Sequence, residues 1–454
     1  MSPRLFVRKA LAAIRSGEGL RGELLRGGIG SISVKVGATF IALGLALVLT
    51  RTLGVEQYGV YSVVRALVTV MAIPAQMGLP NLVVRETAGA RVRGNWALIR
   101  GLWRWASLMA ILISLALMFT ASIGAWWFAD RFSHGELITF YWSLVLVPLV
   151  ALGNLRGAAL RGLHRVVQGQ LPEFILRPLF LLALVLIAHL AISTRAVSAA
   201  DAMILHAMSS LVAFTVGAFL LLRARPAPLR IERKSERHPR LWLASALPLG
   251  MVEGMQLINQ NVGVIGLGIV ASAEDVGIFR VALQGGMLVS FGLTAINLIV
   301  GPHIARIYEQ GDMLLLQKLV TVVTRVAFVM SLILAMFFVI SGPIFLETLF
   351  GSAFAEAYVP LLIIAGGQTI NAFTGCVGQI LYMTKHETEV AKAVAVGAVC
   401  NVALVAILAP IWGYSGVAVA QATSVVIWNA TLAFRVRQRT GLIAAAFWKG
   451  AGSR

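Results

Sequence analysis

The stretch Gly54-Val55-Glu56-Gln57-Tyr58-Gly59-Val60-Tyr61-Ser62-Val63 has a counterpart 218 residues downstream, Ser272-Ala273-Glu274-Asp275-Val276-Gly277-Ile278-Phe279-Arg280-Val281. At that offset Glu56 aligns with Glu274, Gly59 with Gly277, Tyr61 with Phe279 and Val63 with Val281. Each stretch closes one long apolar run and opens the next. The shared glycine is expected to permit a tight turn between two helices, and the aromatic to stand where the next helix enters a membrane. A chain whose second half repeats its first should fold as two equivalent units.

The rest of the sequence agrees with that division. Twelve apolar runs fall at about 31–53, 59–80, 104–128, 138–160, 173–192, 201–223, 241–270, 278–304, 322–346, 357–384, 389–411 and 415–436. Each is long enough, at roughly 20 residues, to cross about 30 Å of hydrocarbon as a helix. None shows the period-2 alternation of a barrel strand. Hydrophobic residues make up 59% of the chain and charged ones 13%, against about 25% charged in a soluble domain. Mean hydropathy is +0.86. These values exclude a soluble globular, disordered or fibrous protein and indicate an all-α polytopic membrane protein. The longest hydrophilic stretch, 223–240, lies near the midpoint. The expected organisation is a basic tail at 1–27, a six-helix bundle at 28–223, a linker at 224–240, a second bundle at 241–436 and a tail at 437–454. The N-terminal tail lacks the short apolar run and small-residue cleavage site of a secretory signal.

Lys and Arg number 38 against 19 acids, a net charge of +19. In a soluble protein that excess would suggest nucleic acid. Here topology sorts it. Thirty-two of the 38 fall in the two tails and in alternate loops, while Arg51, Arg131 and Arg195 fall on the other side. Lys35, Arg65 and Arg280 lie in or near the runs. Basic loops stay in the cytoplasm, so both termini are expected there, the helix count should be even, and no nucleic-acid partner is implied. Acids collect on the other side: Glu56, Asp130, Glu136, Asp201, Glu274, Asp275, Glu347 and Glu356. Trp103, Trp105, Trp126, Trp127, Trp142, Trp242 and Trp412 lie near run ends, as an interfacial belt would. Two six-helix units entering from one side are parallel repeats about an axis along the membrane normal. Transporters built this way hold substrate between the halves and open alternately.

An ionisable residue inside a span is a functional candidate by default. Lys35 and Glu253 are separated by the same 218 residues, so a pseudo-two-fold axis would set them on opposite walls of one cavity. Gln256 and Gln260 share a helix face with Glu253, and Asn259 and Asn261 adjoin it. Snorkelling of Lys35, and interhelical hydrogen bonding by the amides, are the structural alternatives. His206 and His303 are weaker relay candidates, read chiefly as structural. Cys376 and Cys400 lie in apolar runs and form no metal or redox motif.

Arg51-Thr52-Leu53-Gly54-Val55-Glu56-Gln57-Tyr58-Gly59-Val60-Tyr61-Ser62 resembles the segment after the first helix of polysaccharide-exporting flippases. These are Wzx-type members of the multidrug/oligosaccharidyl-lipid/polysaccharide (MOP) superfamily. Gly78-Leu79-Pro80-Asn81 with Arg85-Glu86, and Ala273-Glu274-Asp275-Val276-Gly277-Ile278-Phe279, are similar to theirs too. The resemblance implies a V-shaped pair of bundles in a bacterial inner membrane. It implies movement of an undecaprenyl-pyrophosphate-linked glycan between leaflets for O-antigen, lipopolysaccharide, capsule or exopolysaccharide synthesis. The related flippase of peptidoglycan precursors has two extra helices, so twelve runs point away from that member. For a pyrophosphate, Arg85 and Arg177 near the inner side and Arg65 and Arg280 in the outer half form a ladder of bidentate donors. Arg85 and Arg177 serve equally well as topology determinants. Glu253 is the candidate for a coupling proton or cation, with a proton or sodium gradient as drive and no other cofactor. Implied partners are membrane lipids and, around a monomeric transport unit, a polysaccharide polymerase and a chain-length regulator.

Other functions fit less well. A drug or cation antiporter of the related MATE type prefers an acidic cavity, whereas Lys35, Arg65 and Arg280 here stand against Glu253. A glycan polymerase would need a sizeable outside loop, and the longest proposed is about ten residues, near 129–137. An ATP-driven pump would need a G-x-x-x-x-G-K-[ST] loop, which the chain lacks. No enzymatic activity is expected.

Overall fold

The computed structural model describes residues 20–191, 197–232 and 234–446. Residues 1–19 of the basic tail, Arg195, Arg233 and the last residues from 447 lie outside these. The described residues form helices and connecting turns, with no strand among them. The N-terminal half begins with α1 (Leu20–Gln76), α2 (Leu79–Val92) and α3 (Trp96–Trp127). It continues with α4 (His134–Leu144), α5 (Leu146–Gly162), α6 (Val166–Leu171), α7 (Arg177–Ala191) and α8 (Ala199–Ala224). A π-helical segment, Pro172–Leu176, joins α6 to α7. The linker contains α9 (Ala227–Ile231). The C-terminal half holds α10 (Pro239–Val270), α11 (Ala273–Glu309) and α12 (Met313–Phe350). It ends with α13 (Tyr358–Thr374), α14 (Val377–Met383) and α15 (Glu387–Thr440).

Among the described residues ten helices are long and apolar enough to cross a membrane. Two of them are twice the length one crossing needs: Gly30–Gln76, with 47 residues, and Glu387–Thr440, with 54. Each contains a glycine with non-helical angles, Gly54 (φ 73, ψ 176) and Gly413 (φ 54, ψ −136). Each glycine separates two arms of span length, so by length the described residues offer twelve candidate passes.

The repeat is visible in the packing, but its glycine has a different task from the one expected. Gly59 and Gly277 lie inside helices. The first turn is made at Gly54, in the left-handed region that glycine tolerates. The second is made at Ser272, whose hydroxyl accepts from Asp275 N while the Asp275 carboxylate accepts from Ser272 N. Gly59 and Gly277 instead let the two halves touch. A Cβ on Gly59 would run into the Ala273 carbonyl, and one on Gly277 into the Val55 carbonyl. Val55 and Ala273 are themselves 218 apart, so the contact is reciprocal, as a pseudo-two-fold axis requires.

Capping explains the placement of several acids. Ser133 with Glu136, Ser198 with Asp201 and Ser272 with Asp275 all form capping boxes. These helix starts share the face opposite the linker, where carboxylates meet exposed N–H groups and the positive dipole end. We call the linker side the basic face and the other the opposite face.

The bundle's exterior carries large apolar side chains, such as Val326, Ile333, Ile340 and Ile344 on α12, as a lipid-facing surface must. The tryptophans divide. Trp126, Trp127 and Trp412 stand exposed at helix ends of the opposite face. Trp242 is a correction to the expected belt: it is 2% exposed and packs on Trp105 with ring centroids 5.3 Å apart. Trp103 donates to the Thr87 hydroxyl at 3.0 Å. Cys376 and Cys400 are free.

Candidate functional site

Two polar clusters lie where the halves meet. The first is cationic. The second arm of α1 carries Tyr58, Tyr61 and Arg65, and the start of α11 carries Arg280 and Gln284. Gln284 Nε2 donates to the Tyr58 hydroxyl at 2.8 Å. Arg280 lies beside the same tyrosine, and the charge of Arg65 acts on Arg280. Tyr61 Oη lies 2.9 Å from Nδ1 of His206 on α8. The charges of Arg65 and Arg177 both reach this Tyr61–His206 pair. Arg65, Arg177 and Arg280 thus share one electrostatic neighbourhood. They come from α1, α7 and α11, spanning both halves.

Arg177 differs from its expected place near the inner surface. The span that contains it begins at Val166, so Arg177 lies eleven residues in, about 16 Å along the helix. The π-helical turn before it leaves Glu173 between two cations: Arg177 at 3.2 Å and Arg156 at 2.9 Å. A single carboxylate therefore faces several guanidinium groups, and like charges held in a medium of low dielectric favour an anionic guest.

The second cluster lies toward the basic face. Asn81, near the start of α2, donates from Nδ2 to Glu253 Oε1 at 2.8 Å. Glu253 also acts electrostatically on Arg161 of α5 and Tyr382 of α14, and Gln256 lies beside Tyr382. Beside it the main chains close in. A Cβ on Gly250 would meet Met77 and Gly78 backbone atoms at 2.5 and 2.7 Å. Glu253, on the C-terminal half, is thus hydrogen-bonded across to Asn81 of the N-terminal half.

The other candidates separate. Lys35 is exposed, and its ammonium has no ion pair or hydrogen-bond acceptor among the described residues. The helix begins at Leu20, so Lys35 lies well along it. Gly30, Gly37 and Gly44 pack on Val167, Ile175 and Leu182, and Lys35 projects from the far side of that contact. No contact joins it to Glu253. Asn259 is 3% exposed. Asn401 donates to its side-chain oxygen at 2.6 Å and Ser424 at 3.4 Å, which places it in the interior of the C-terminal half, away from the Glu253 face. Gln260 is exposed, and the Asn261 amide donates to the Leu257 carbonyl at 2.8 Å. Arg85 is 57% exposed and pairs with its neighbour Glu86 at 3.2 Å. His303 is exposed.

A family model described as polysaccharide biosynthesis protein matches residues 24–308. The chain belongs to that family. The matched stretch contains Lys35, Arg65, Arg177, Glu253 and Arg280. A search of curated proteins finds no match. Among solved structures the chain is similar to an inward-facing multidrug resistance MATE family transporter of the MOP superfamily. The TM-score is 0.72 and the identity 15%, over 91% of this chain and 98% of that one. It is similar to the lipid II flippase MurJ in an inward closed conformation, with TM-score 0.68 and 14% identity, over 90% and 87% of the two chains. A MOP superfamily transporter from Pyrococcus furiosus, described as having a binding pocket of reversed polarity, matches with TM-score 0.61 and 12% identity, over 92% and 95%. The fold is that of MOP transporters, and these likenesses are to transporters and flippases rather than to enzymes.

Sequence reading passed over Tyr58, Arg161, Tyr382 and Gln284. A signal for the first existed: at the repeat offset Tyr58 faces Val276, and Arg280 faces Ser62. Departures from an internal repeat mark where the halves have different tasks. For Arg161 and Tyr382 no such signal exists, because their partners come from other helices.

Proposed function

We propose that this family member is a flippase for a lipid-linked glycan, carrying an undecaprenyl-pyrophosphate-linked oligosaccharide across a bacterial inner membrane for surface polysaccharide synthesis. The observation that supports it most is the group Arg65, Arg177 and Arg280 between the two halves. A pyrophosphate presents oxygens to several guanidinium forks at once. A cationic drug would meet repulsion at the same place, which disfavours the antiporter reading. The likeness to a lipid II flippase supports the same chemistry. The basic face is taken as cytoplasmic, with both termini there, since the tails and loops assigned to that side hold most of the 38 cations of the sequence.

The head group would enter past Arg85 and the Asn81–Glu253 contact, pass the central arginines and leave at the opposite face. Glu253 stands at the entrance and exchanges its hydrogen bond with Asn81 for one with the sugar or for a coupling proton. Export then alternates between opening at the Gly78–Gly250 contact and opening at the Gly59–Gly277 contact.

An Arg65→Ala/Arg280→Ala double variant tests the reading. Removing two charge-assisted contacts is expected to lower export at least tenfold with normal protein level. Lipid-linked glycan should then accumulate on the cytoplasmic leaflet. Full export by that variant would overturn the proposal. Loss of drug tolerance with normal surface glycan in a deletion strain would restore the antiporter.

A further inference from the structure

A second cationic feature lies on the outside of the N-terminal half. Between α3, α5 and α8 there is a crevice of about 510 Å³. Its lining residues run from Val83 to Arg225, at the start of the linker, and none belongs to the C-terminal half, so it is separate from the interface between the halves. Arg104, Arg156 and Arg225 line it, and no carboxylate does. Leu108, Ile111, Leu155 and Leu221 supply an apolar wall, and Leu108 and Ile111 are exposed on the lipid-facing surface.

The arginines are incompletely satisfied. Arg156 is 5% exposed. Its Nη2 pairs with Glu173 at 2.9 Å and its Nη1 donates to the Phe214 carbonyl at 2.5 Å. Its Nε has no partner, and neither does the buried Nε of Arg225. Gly217 makes room for this guanidinium, since a Cβ there would collide with it. Arg225 lies over the Trp103 ring at 5.9 Å, and Arg104 is exposed at the mouth. Buried donors without acceptors are unfavourable, and so is a group of three cations in which only Arg156 has a carboxylate partner, Glu173. An anion is what the site lacks, and the apolar wall calls for a chain attached to it.

Depth selects the source. α8 ends at Ala224, next to Arg225, and α3 starts at Trp96, so the mouth lies at the basic-face ends of both helices. Head groups of that leaflet lie there. We propose that the crevice binds an anionic phospholipid of the basic-face leaflet. Its phosphodiester is held by Arg104 and Arg225 above the Arg156 Nε, and an acyl chain lies along Leu108, Ile111 and Leu221. This site is independent of what the central arginines transport.

Native mass spectrometry of the purified full chain, titrated with phosphatidylglycerol or phosphatidylcholine, tests it. The wild type should retain phosphatidylglycerol in preference to phosphatidylcholine. An Arg104→Gln/Arg225→Gln variant should lose one tightly held phosphatidylglycerol, with affinity about thirtyfold weaker. Ile111→Trp fills the chain groove without touching a charge and should weaken the same lipid, so the test stands even if the double variant misfolds. Equal retention of the two lipids by the wild type would overturn the proposal. So would unchanged binding in a folded variant, or displacement of phosphatidylglycerol by inorganic phosphate.

Discussion

The two halves meet at both faces, and the two meetings are built differently. At the opposite face the contact is main chain on main chain: Gly59 against Ala273, and Gly277 against Val55. It is symmetric and lies among buried apolar groups such as Val276, Ile278 and Phe279. Near the basic face the main chains also approach, at Gly78 and Gly250, but beside the polar Asn81–Glu253 hydrogen bond and the Arg161 charge. A dry steric contact depends on shape alone and tolerates no added atom. A polar contact can be traded for a hydroxyl or phosphate of equal hydrogen-bonding capacity. The difference suits a transporter that admits a polar head group at one face and must seal the other against leakage.

The largest effect should come from the steric contact. Gly59→Val puts a side chain into the Ala273 carbonyl, and overpacking of this kind costs about 1–3 kcal/mol. That cost falls only on the state closed at the opposite face. Spin labels at Phe132 and Ser352, both exposed and in different halves, should report a shift toward larger separations, with export reduced tenfold or more. Gly277→Val should do the same, because the contact is reciprocal. Normal export with unchanged distances in both variants would show that the glycines are incidental.

That prediction could not have been made from sequence. The repeat was legible because identical spacing and residue types recur, and the apolar runs were legible because each is long and continuous. The two-arm helices follow from Gly54 and Gly413, but no local pattern says that Gly59 is a contact rather than a turn. Arg177 lies farther along its helix than the apolar run suggests, because the helix continues toward the basic face before that run, through Val166–Leu171. Asn259 adjoins the Glu253 face in sequence, yet it points to Asn401. Which amide serves a cavity and which serves the core depends on the neighbouring helix, and helical periodicity on one segment does not identify that neighbour. The central arginines were legible as charges inside spans. Their convergence with Tyr58, Tyr61 and His206 required the fold.

The polar contact should respond less, and more gently to conservative change. Asn81→Ala removes the donor to Glu253 and should favour opening at the basic face by about 1–2 kcal/mol, roughly a tenfold rise in labelling of a Gln256→Cys probe. Glu253→Gln keeps an oxygen for Asn81 while removing the charge felt by Arg161, so its labelling should fall between wild type and Asn81→Ala. Equal labelling in all three would remove the contact from the closing mechanism.

Arg51 adds a smaller polar element to the otherwise dry face. Its Nε donates to the Leu349 carbonyl at 2.9 Å and its Nη2 to Glu347 and Thr348 carbonyls. These belong to the C-terminal end of α12, where a cation meets the last carbonyls, of which that of Glu347 also accepts from Gly351 N, and the negative dipole end. The side chain is exposed, so the contribution is discounted to about 1 kcal/mol. Arg51→Gln should shift the same spin-label distribution by roughly fivefold in population, well short of Gly59→Val. A shift equal to the glycine variant would mean that the latch, not the glycine contact, sets the closed state.

The linker should give the smallest effect, and it separates the basic-face contact from its covering. Glu236 accepts from Asn95 Nδ2 at 2.9 Å and pairs with His238 Nε2 at 2.7 Å, while its own amide donates to the Ala97 carbonyl at 3.1 Å. The Asn95 amide foremost, then His238, holds its carboxyl below the usual carboxylate range. A carboxyl depressed in the docked state stabilises docking above its ordinary pKa, near pH 4. That contribution is lost as the pH falls through the depressed value. Hydrogen exchange at the Glu236 amide, corrected for intrinsic rates, should therefore stay protected from neutral pH into the mildly acidic range and loosen below it. Glu236→Gln keeps an acceptor for Asn95 and should flatten that pH dependence while leaving labelling of the Gln256→Cys probe unchanged. If the probe followed the linker's titration, the linker would be part of the gate at the basic face, and the Asn81–Glu253 contact would not close that face alone.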